Sequence, residues 1–527
     1  MQVHVFFASV VGVLATTAAA SAQRVVSLNI NKSPVDPQLI RRRRDIGSYS
    51  QVVTNNMSAY SYYAEVTIGT PPQPITLVLD TGSSDTWVVD KSTDGCEGGD
   101  LCLTPYNSKA SSTVKMLDNT QFEITYGDQS NVSGTWMKDN LAIGGAATKN
   151  LQMGIATTVN KVYTGILGLG LRAAEIPPGN YPNIMDVFYD QGLIGTKAFS
   201  LYLVSSFIDK FEIINAVEAP SGTVLFGGID KAKFTGELLA VPLVPNSATQ
   251  SSSFYFVTLD TFSMTFGNGT SSEPFSGAPR AVLLDSGATL TYLANSTVQR
   301  LYKALNNTVF EDGSQVTQDG ELAFVNCDLL DHESPLSKAT FDFRFGGPNG
   351  PLIRVPLNQM IIDMRPYGAE HPREKACMFG IVPNSDPESE IYILGDSFLR
   401  SAYVVYDLAN NQLALAQAKP NVTDESDVVE FSKDATGIPG VSGVVDGVSA
   451  TQTATGLPSG VGAKPLPTVT VTGSIGAGDA AATSATGNPA ARSVPGPDPS
   501  VLGMVLAVIL TTGFGMLTGS MWLCLQI

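Results

Sequence analysis

The sequence predicts an all-β protein built as two lobes. An apolar run, Leu77-Val-Leu, drives straight into Asp80-Thr-Gly, and a second, Ala281-Val-Leu-Leu, drives into Asp285-Ser-Gly. Apolar residues of strand type leading into Asp-[Thr/Ser]-Gly place a carboxylate at the end of a buried strand, where the backbone must turn sharply. Each triplet is followed later by Ile-Leu-Gly, at Ile166-Leu167-Gly168 and at Ile393-Leu394-Gly395. The same order of elements twice marks a weak internal repeat, one copy per half of the chain. Composition agrees: 43% of residues are hydrophobic, only 15% are charged, and there are 50 Gly and 31 Pro. That mix suits many short strands joined by turns. At 527 residues the chain exceeds one domain and fits two large lobes with additional segments.

Residues 1–22 read as a secretory signal. Val5-Phe6-Phe7 opens an apolar stretch, and Ala20-Ser21-Ala22 has the small-x-small form of a cleavage site. Residues 23–44 form a short segment ending in Arg41-Arg42-Arg43-Arg44, which reads as a propeptide with a basic processing site. The alternative is a solvated charge run. A mature chain then begins near Asp45. The net charge of −17 becomes more negative once this basic leader is gone. So acidic a protein is a poor nucleic-acid partner, stays soluble, attracts basic ligands and suits an acidic milieu.

Residues 45–245 form the N-terminal lobe. Tyr63-Ala-Glu-Val-Thr-Ile68 alternates and ends in a Gly/Pro turn before the strand into Asp80. Phe122 to Tyr126 alternates again, turns at Gly127-Asp128-Gln129-Ser130 and returns through Val132 to Trp136, a hairpin. Gly165-Ile-Leu-Gly-Leu-Gly170 is a glycine-punctuated strand, and Asn183 to Leu193 is the one clear helix of this lobe. Residues 246–418 form the C-terminal lobe. There Val298, Leu301, Tyr302 and Leu305 make a helical stripe, and strands are expected at Tyr403–Asp407 and Leu413–Ala416.

Four of the five Cys lie in the lobes, which allows three pairings. The simplest closes each lobe on itself, Cys96–Cys102 and Cys327–Cys377, in an oxidising compartment. The longer loop contributes about 4 kcal/mol in the chain-entropy model. Asn-x-Ser/Thr acceptors stand at Asn56, Asn131, Asn268, Asn295, Asn306 and Asn421. Residues 419–500 are rich in Ser, Thr, Gly, Ala, Pro and Val and read as a flexible, O-glycosylated stalk. Residues 501–527 are apolar and uncharged. Small residues near Ser484 to Asn488, a spacer and a terminal apolar tail fit a glycosylphosphatidylinositol signal; a retained membrane helix is the other reading. With the anchor signal, Cys524 is discarded with the tail.

Two carboxyls facing each other across a lobe seam cannot both ionise easily, so one proton is shared between them. Such a pair can hold a water. The ionised member takes its proton as it attacks a carbonyl, and the protonated member donates to the carbonyl oxygen. No metal, cofactor or covalent intermediate is needed. The three His (His4, His332, His371) sit in no motif, which argues against a Ser-His-Asp triad or a His-based zinc site.

From about residue 60 to 418 the chain resembles the pepsin-like aspartic endopeptidases. The matching pieces are Asp80-Thr-Gly-Ser-Ser with Trp87, the hairpin Tyr126-Gly127, Gly165-Ile-Leu-Gly-Leu-Gly, Phe226-Gly-Gly-Ile-Asp230, Asp285-Ser-Gly, and Ile393-Leu-Gly-Asp-Ser-Phe-Leu-Arg400. The resemblance implies the bilobal pepsin-like fold with its cleft between the lobes, and Asp80 and Asp285 as the catalytic dyad. It implies that Thr81 and Ser286 lock the two loops by hydroxyl-to-backbone bonds, with Gly82, Ser83, Gly287 and Trp87 supporting them. Tyr126, Gly127 and Asp128 belong to the flap over the substrate, with Tyr126 bonded to Trp87. The order of signal, basic-ended leader, stalk and tail is most similar to fungal yapsin-like, surface-anchored members. That implies a monomer acting on protein or peptide substrates at the cell surface, outside the plasma membrane or in the wall, held to the membrane by a lipid anchor.

Two departures carry information. Ala288 follows the second triplet where many members have a hydroxyl. Asp285 then lacks a donor that would favour its charged form, so the dyad is expected to titrate higher and work in milder acid. Asp128 at the flap tip, with Asp94, Glu97 and Asp100 nearby in sequence, suggests a preference for Lys or Arg at the cut; a solvated turn Asp is the alternative. A non-catalytic pepsin-like binding protein is the competing function. It would be expected to have lost a dyad Asp, a triplet Gly or the flap Tyr, and all are present.

Overall fold

A computed structural model describes residues 25–32 and 62–450, apart from internal stretches of which the longest are 204–219, 309–315, 331–337, 363–375 and 385–391. The segment read as a signal, Arg41–Arg44, the residues beyond 450 read as stalk and tail, and Asn56, Asn421, Gly127, Asp128 and Gln129 lie outside the described residues. The unit Gly476–Ile527 lies wholly outside them. Among the described residues no helix is long and apolar enough to cross a membrane.

The architecture is mostly β, as expected. A seven-stranded sheet carries the Asp285 strand and a four-stranded sheet lies in the same half. A thirteen-stranded sheet carries the Asp80 strand. The internal repeat is visible in the strand register. Gln73–Asp80 runs parallel to Gly165–Gly168, with Asp80 opposite Gly168, and Trp87 crosses antiparallel at Ile166. In the second half Arg280–Leu284 runs parallel to Tyr392–Leu394, and Tyr292 crosses antiparallel at Ile393. Both Ile-Leu-Gly glycines are demanded by close approach. A Cβ on Gly168 would meet Asp85 backbone at 2.7 Å, and one on Gly395 would meet the Ala288 and Leu290 carbonyls at 2.3 Å.

The helices follow their sequence signals. Ile184–Asp190 is capped by a capping box, Asn183 with Asp186, and turns out at Gly192 with φ +71°. Asn295–Thr308 buries Val298, Leu301, Tyr302 and Leu305. Cys96–Cys102 and Cys327–Cys377 are both bonded.

Three features of the fold were not read from the sequence. First, the thirteen-stranded sheet crosses the line drawn at 245/246. Ala402–Asp407 pairs with Ala198–Leu203, and Gln412–Ala418 pairs with Phe234–Pro242. One apolar core accordingly runs through both halves, from Leu77 and Leu79 to Leu283 and Leu284. Lobe assignment by sequence order misses pairings made across the seam. Second, Val26–Lys32, inside the segment read as a leader, is a sheet strand between Pro220–Phe226 and Tyr62–Ile68. Its Val-Ser-Leu-Asn-Ile alternation is the signal that the basic run overshadowed.

Third, the folded unit passes residue 418, where the stalk was placed. The described residues from 425 to 445, with Val422, form a strap over an apolar sheet face made by Tyr202, Ile229, Ala240, Tyr403, Val405 and Ala416. Val428–Glu430 pairs with Gly228–Asp230, and Phe431 and Ile438 are buried against that face. The buried ammonium of Lys233 donates to the carbonyls of Val422 at 2.9 Å and Glu425 at 2.8 Å, so the strap supplies the partners this charge needs. Asp230 accepts from Asp427 N at 2.7 Å, and Ala450 N donates to Thr258 Oγ1 at 2.8 Å. The Ser/Thr/Gly-rich composition hid a few well-placed anchors. Replacing Phe431, 1% exposed, by Ala should cost about 3–5 kcal/mol. The control Val428→Ala, at a position 43% exposed, should cost little. Equal unfolding midpoints for the two variants would show that the strap is not part of the folded unit.

Candidate active site

The two Asp triplets end strands of different sheets, and their loops meet. Thr81 and Ser286 are buried and exchange bonds across the seam. Thr81 N donates to Ser286 Oγ at 3.1 Å, and Ser286 N donates to Thr81 Oγ1 at 3.0 Å. Each hydroxyl then donates onward into the other half: Thr81 Oγ1 to the Leu284 carbonyl at 3.0 Å, Ser286 Oγ to the Leu79 carbonyl at 2.9 Å. Those carbonyls directly precede the two Asp residues. A Ser or Thr is needed at both positions, because each side chain must accept one bond and donate another.

The glycines let the carboxyls converge. A Cβ on Gly82 would stand 2.5 Å from the Asp285 carboxyl carbon, and one on Gly287 would stand 2.5 Å from Asp80 Oδ1. Each loop backbone therefore lies against the opposite carboxyl. Gly82 N donates to Asp80 Oδ1 at 2.7 Å and Gly287 N to Asp285 Oδ1 at 2.8 Å. The symmetry breaks one residue later. Ser83 Oγ donates to Asp80 Oδ2, whereas Ala288 has no hydroxyl to offer Asp285. Burial pushes the Asp285 carboxyl well above the usual carboxylate range, the charge of Asp80 pushes the same way, and the Gly287 and Ala288 amides oppose both.

Trp87 is fully buried and its Nε1 donates to Tyr126 Oη at 2.8 Å. Tyr126 N donates to the Ser130 carbonyl at 2.8 Å, which closes the hairpin whose tip lies outside the described residues. Of the acceptor asparagines, Asn268 and Asn295 are exposed, and Asn131 opens the returning hairpin strand. Asn306 Oδ1 accepts from Val316 N at 2.8 Å.

Residues 61–418 match the family described as "Eukaryotic aspartyl protease". The chain belongs to that family. It is 34% identical over 480 residues to "Probable aspartic-type endopeptidase opsB" of Aspergillus fumigatus, covering 87% of this chain and 90% of that protein. It is 32% identical to "Acid protease" of Saccharomycopsis fibuligera over 75% of this chain and 91% of that one. With "Candidapepsin-3" of Candida albicans it shares 33% identity over 68% and 80%. The protein is an aspartic-type endopeptidase with a pepsin-like fold.

One acidic group beside the site was missed by sequence reading. Asp85, 2% exposed, accepts from Tyr181 Oη at 2.5 Å and from Ile176 N at 3.1 Å. Glu175 Oε2 accepts from Tyr181 N at 3.0 Å. Tyr181 packs at 5.1 Å on Trp136 of the Phe122–Trp136 hairpin, so these carboxyls lie against that hairpin. Asp85 sits in the first triplet segment, but its partner Tyr181 is 96 residues away and carries no motif. Burial raises Asp85 to about 6, against the Tyr181 and Ile176 bonds. Burial raises Glu175 to about 8, with the Tyr181 amide and Arg172 opposing and Asp85 and Asp186 adding.

Both folded values lie above the unfolded ones, so the folded state holds these protons more tightly and is favoured in acid. Stability should be full below about pH 4 and should fall as pH climbs through about 6 for Asp85 and about 8 for Glu175. Asp85→Asn, which keeps an acceptor for its partners, should flatten the fall between about pH 4 and 6 in thermal unfolding. An unchanged pH dependence in that variant would remove Asp85 from the account.

Proposed function

We propose that Asp80 and Asp285 are the catalytic dyad of a secreted, surface-anchored endopeptidase that hydrolyses peptide bonds with activated water in acid. The exchange of bonds between Thr81 and Ser286 carries the reading, because it sets two carboxyls against opposite loops across one seam. Asp80, with donors from Gly82 and Ser83, is the member suited to carry the charge. Asp285, half-buried beside that charge and without a hydroxyl donor from Ala288, is the member suited to keep the proton.

Asp80 takes a proton from the water as its oxygen attacks the scissile carbonyl carbon. Asp285 gives its proton to the carbonyl oxygen, forming a neutral diol. Collapse of the diol breaks the C–N bond. The leaving nitrogen takes the proton from Asp80, and a diol hydroxyl returns one to Asp285. Thr81, Gly82, Ser83, Ser286 and Gly287 hold this geometry, and Tyr126, tied to Trp87, covers the substrate from the flap.

An extracellular location is supported by the apolar leader, the two disulfides and a Candida albicans relative named "Secreted aspartic protease 3". Surface anchoring rests on the composition of residues 451–527, and processing rests on Arg41–Arg44. A cut there leaves Val26–Lys32 still paired in the sheet, so release of the leader is a separate step from the cut. Preference for Lys or Arg rests on Asp128 and the acidic segment from Asp94 to Asp100.

Asp80→Asn and Asp285→Asn should each lower kcat on the order of 10³-fold while leaving the fold intact; retained activity in either would end the dyad assignment. Ala288→Ser should give Asp285 a donor and move the alkaline limb of the kcat/KM profile to lower pH. A peptide-library profile of Asp128→Ala should lose the Lys/Arg preference, and an unchanged profile would reassign Asp128 to a solvated turn.

A further inference from the structure

We propose that Tyr255 of the C-terminal half is a positioning residue for Asp80, acting across the seam through the Leu169–Gly170 peptide and Ser83. This rests on the dyad assignment above.

Tyr255 is fully buried between the two Asp loops. Its backbone carbonyl accepts from Leu284 N at 3.4 Å, next to Asp285. Its side chain reaches the other way, and Tyr255 Oη donates to the Leu169 carbonyl at 2.7 Å. The amide of that same peptide unit, Gly170 N, donates to the Ser83 carbonyl at 2.7 Å, and Leu169 N donates to the Asp80 carbonyl at 2.8 Å. Ser83 Oγ in turn donates to Asp80 Oδ2. A hydrogen bond to one end of a peptide unit polarises it and strengthens the bond made by the other end. The Tyr255 hydroxyl therefore tightens the grip on Ser83 from behind. Gly170 is pressed into this contact, since a Cβ there would stand 2.7 Å from the Ser83 carbonyl oxygen.

The ring is held independently of the hydroxyl. It lies 4.7 Å from Tyr406 at 66° and 6.3 Å from Phe199 at 75°, and Phe199 and Tyr406 stack at 4.6 Å. Removing the hydroxyl leaves that aromatic group filled. The ionisable groups around the path are Asp285 facing Asp80, Tyr406 against the Tyr255 ring, and Asp396, whose charge reaches Tyr406. Behind Asp285 the Ala288 carbonyl instead accepts from Asp396 N at 2.8 Å, within its own half, and among the described residues no hydrogen bond to that carbonyl crosses the seam. Tyr255 thus deepens the asymmetry of the dyad. It keeps the Ser83 donor aimed at Asp80, so that the charge stays on Asp80 and the proton on Asp285.

The test uses the full chain carrying Tyr255→Phe, with Tyr302→Phe as control. Tyr302 is also buried and its hydroxyl donates to the Ile381 carbonyl at 2.8 Å, away from the dyad. Both variants should lose similar thermal stability. Only Tyr255→Phe should raise the acidic limb of kcat/KM, by about half a pH unit, and lower kcat a few-fold with KM unchanged. In a Ser83→Ala background the Tyr255→Phe shift should vanish, because the route through Ser83 is already cut. A Tyr255→Phe profile that matches the control, or shifts that add in the double variant, would overturn the proposal. Activity surviving Asp80→Asn would instead overturn the dyad assignment beneath it.

Discussion

The exchange of backbone and hydroxyl bonds between Thr81 and Ser286 is the constraint on which the site depends. Two like charges brought together repel, and burial makes that repulsion stronger. Left alone, the loops would part. Four bonds across the seam oppose the separation, and each ends on the peptide adjoining a dyad carboxyl. In the proposed mechanism the pair responds by sharing a proton, which makes one carboxyl a base and the other an acid.

The rest of the fold protects that arrangement. The thirteen-stranded sheet takes strands from both halves, so the seam is bridged by a ladder as well as by side chains. The strap over its apolar face closes the far side with Phe431, Ile438 and the carbonyls that satisfy Lys233. Beside the Phe122–Trp136 hairpin, Asp85, Glu175 and Tyr181 pack together, and the preference of the two carboxyls for protonation makes that support strongest in acid, where the proposed shared-proton mechanism would operate.

Much of this was legible in the residues. The duplicated Asp-[Thr/Ser]-Gly and Ile-Leu-Gly announced two related halves, because a buried strand followed by an obligatory close turn leaves few residue choices. The hydrogen bond between Trp87 and Tyr126 agrees with what the family resemblance implies, and the helix expected from Asn183 forms over Ile184–Asp190. The parts that escaped have one physical origin. Strand pairing across the seam, the strap anchors, and the reach of Tyr255 to Leu169 and of Asp85 to Tyr181 join residues far apart in sequence. Each partner looks ordinary alone. A buried Tyr reads as core, and a Ser/Thr/Gly-rich segment reads as linker, until the fold shows what each one touches.

The central claim is that the dyad works as one unit because the Thr81–Ser286 exchange holds it. The most direct measurement is kcat/KM for Thr81→Val, Ser286→Ala and the double variant, with thermal unfolding followed alongside. The account predicts that either change alone costs nearly as much as both, since each breaks the same exchange. Losses that simply add, with the dyad still active in the double variant, would contradict it.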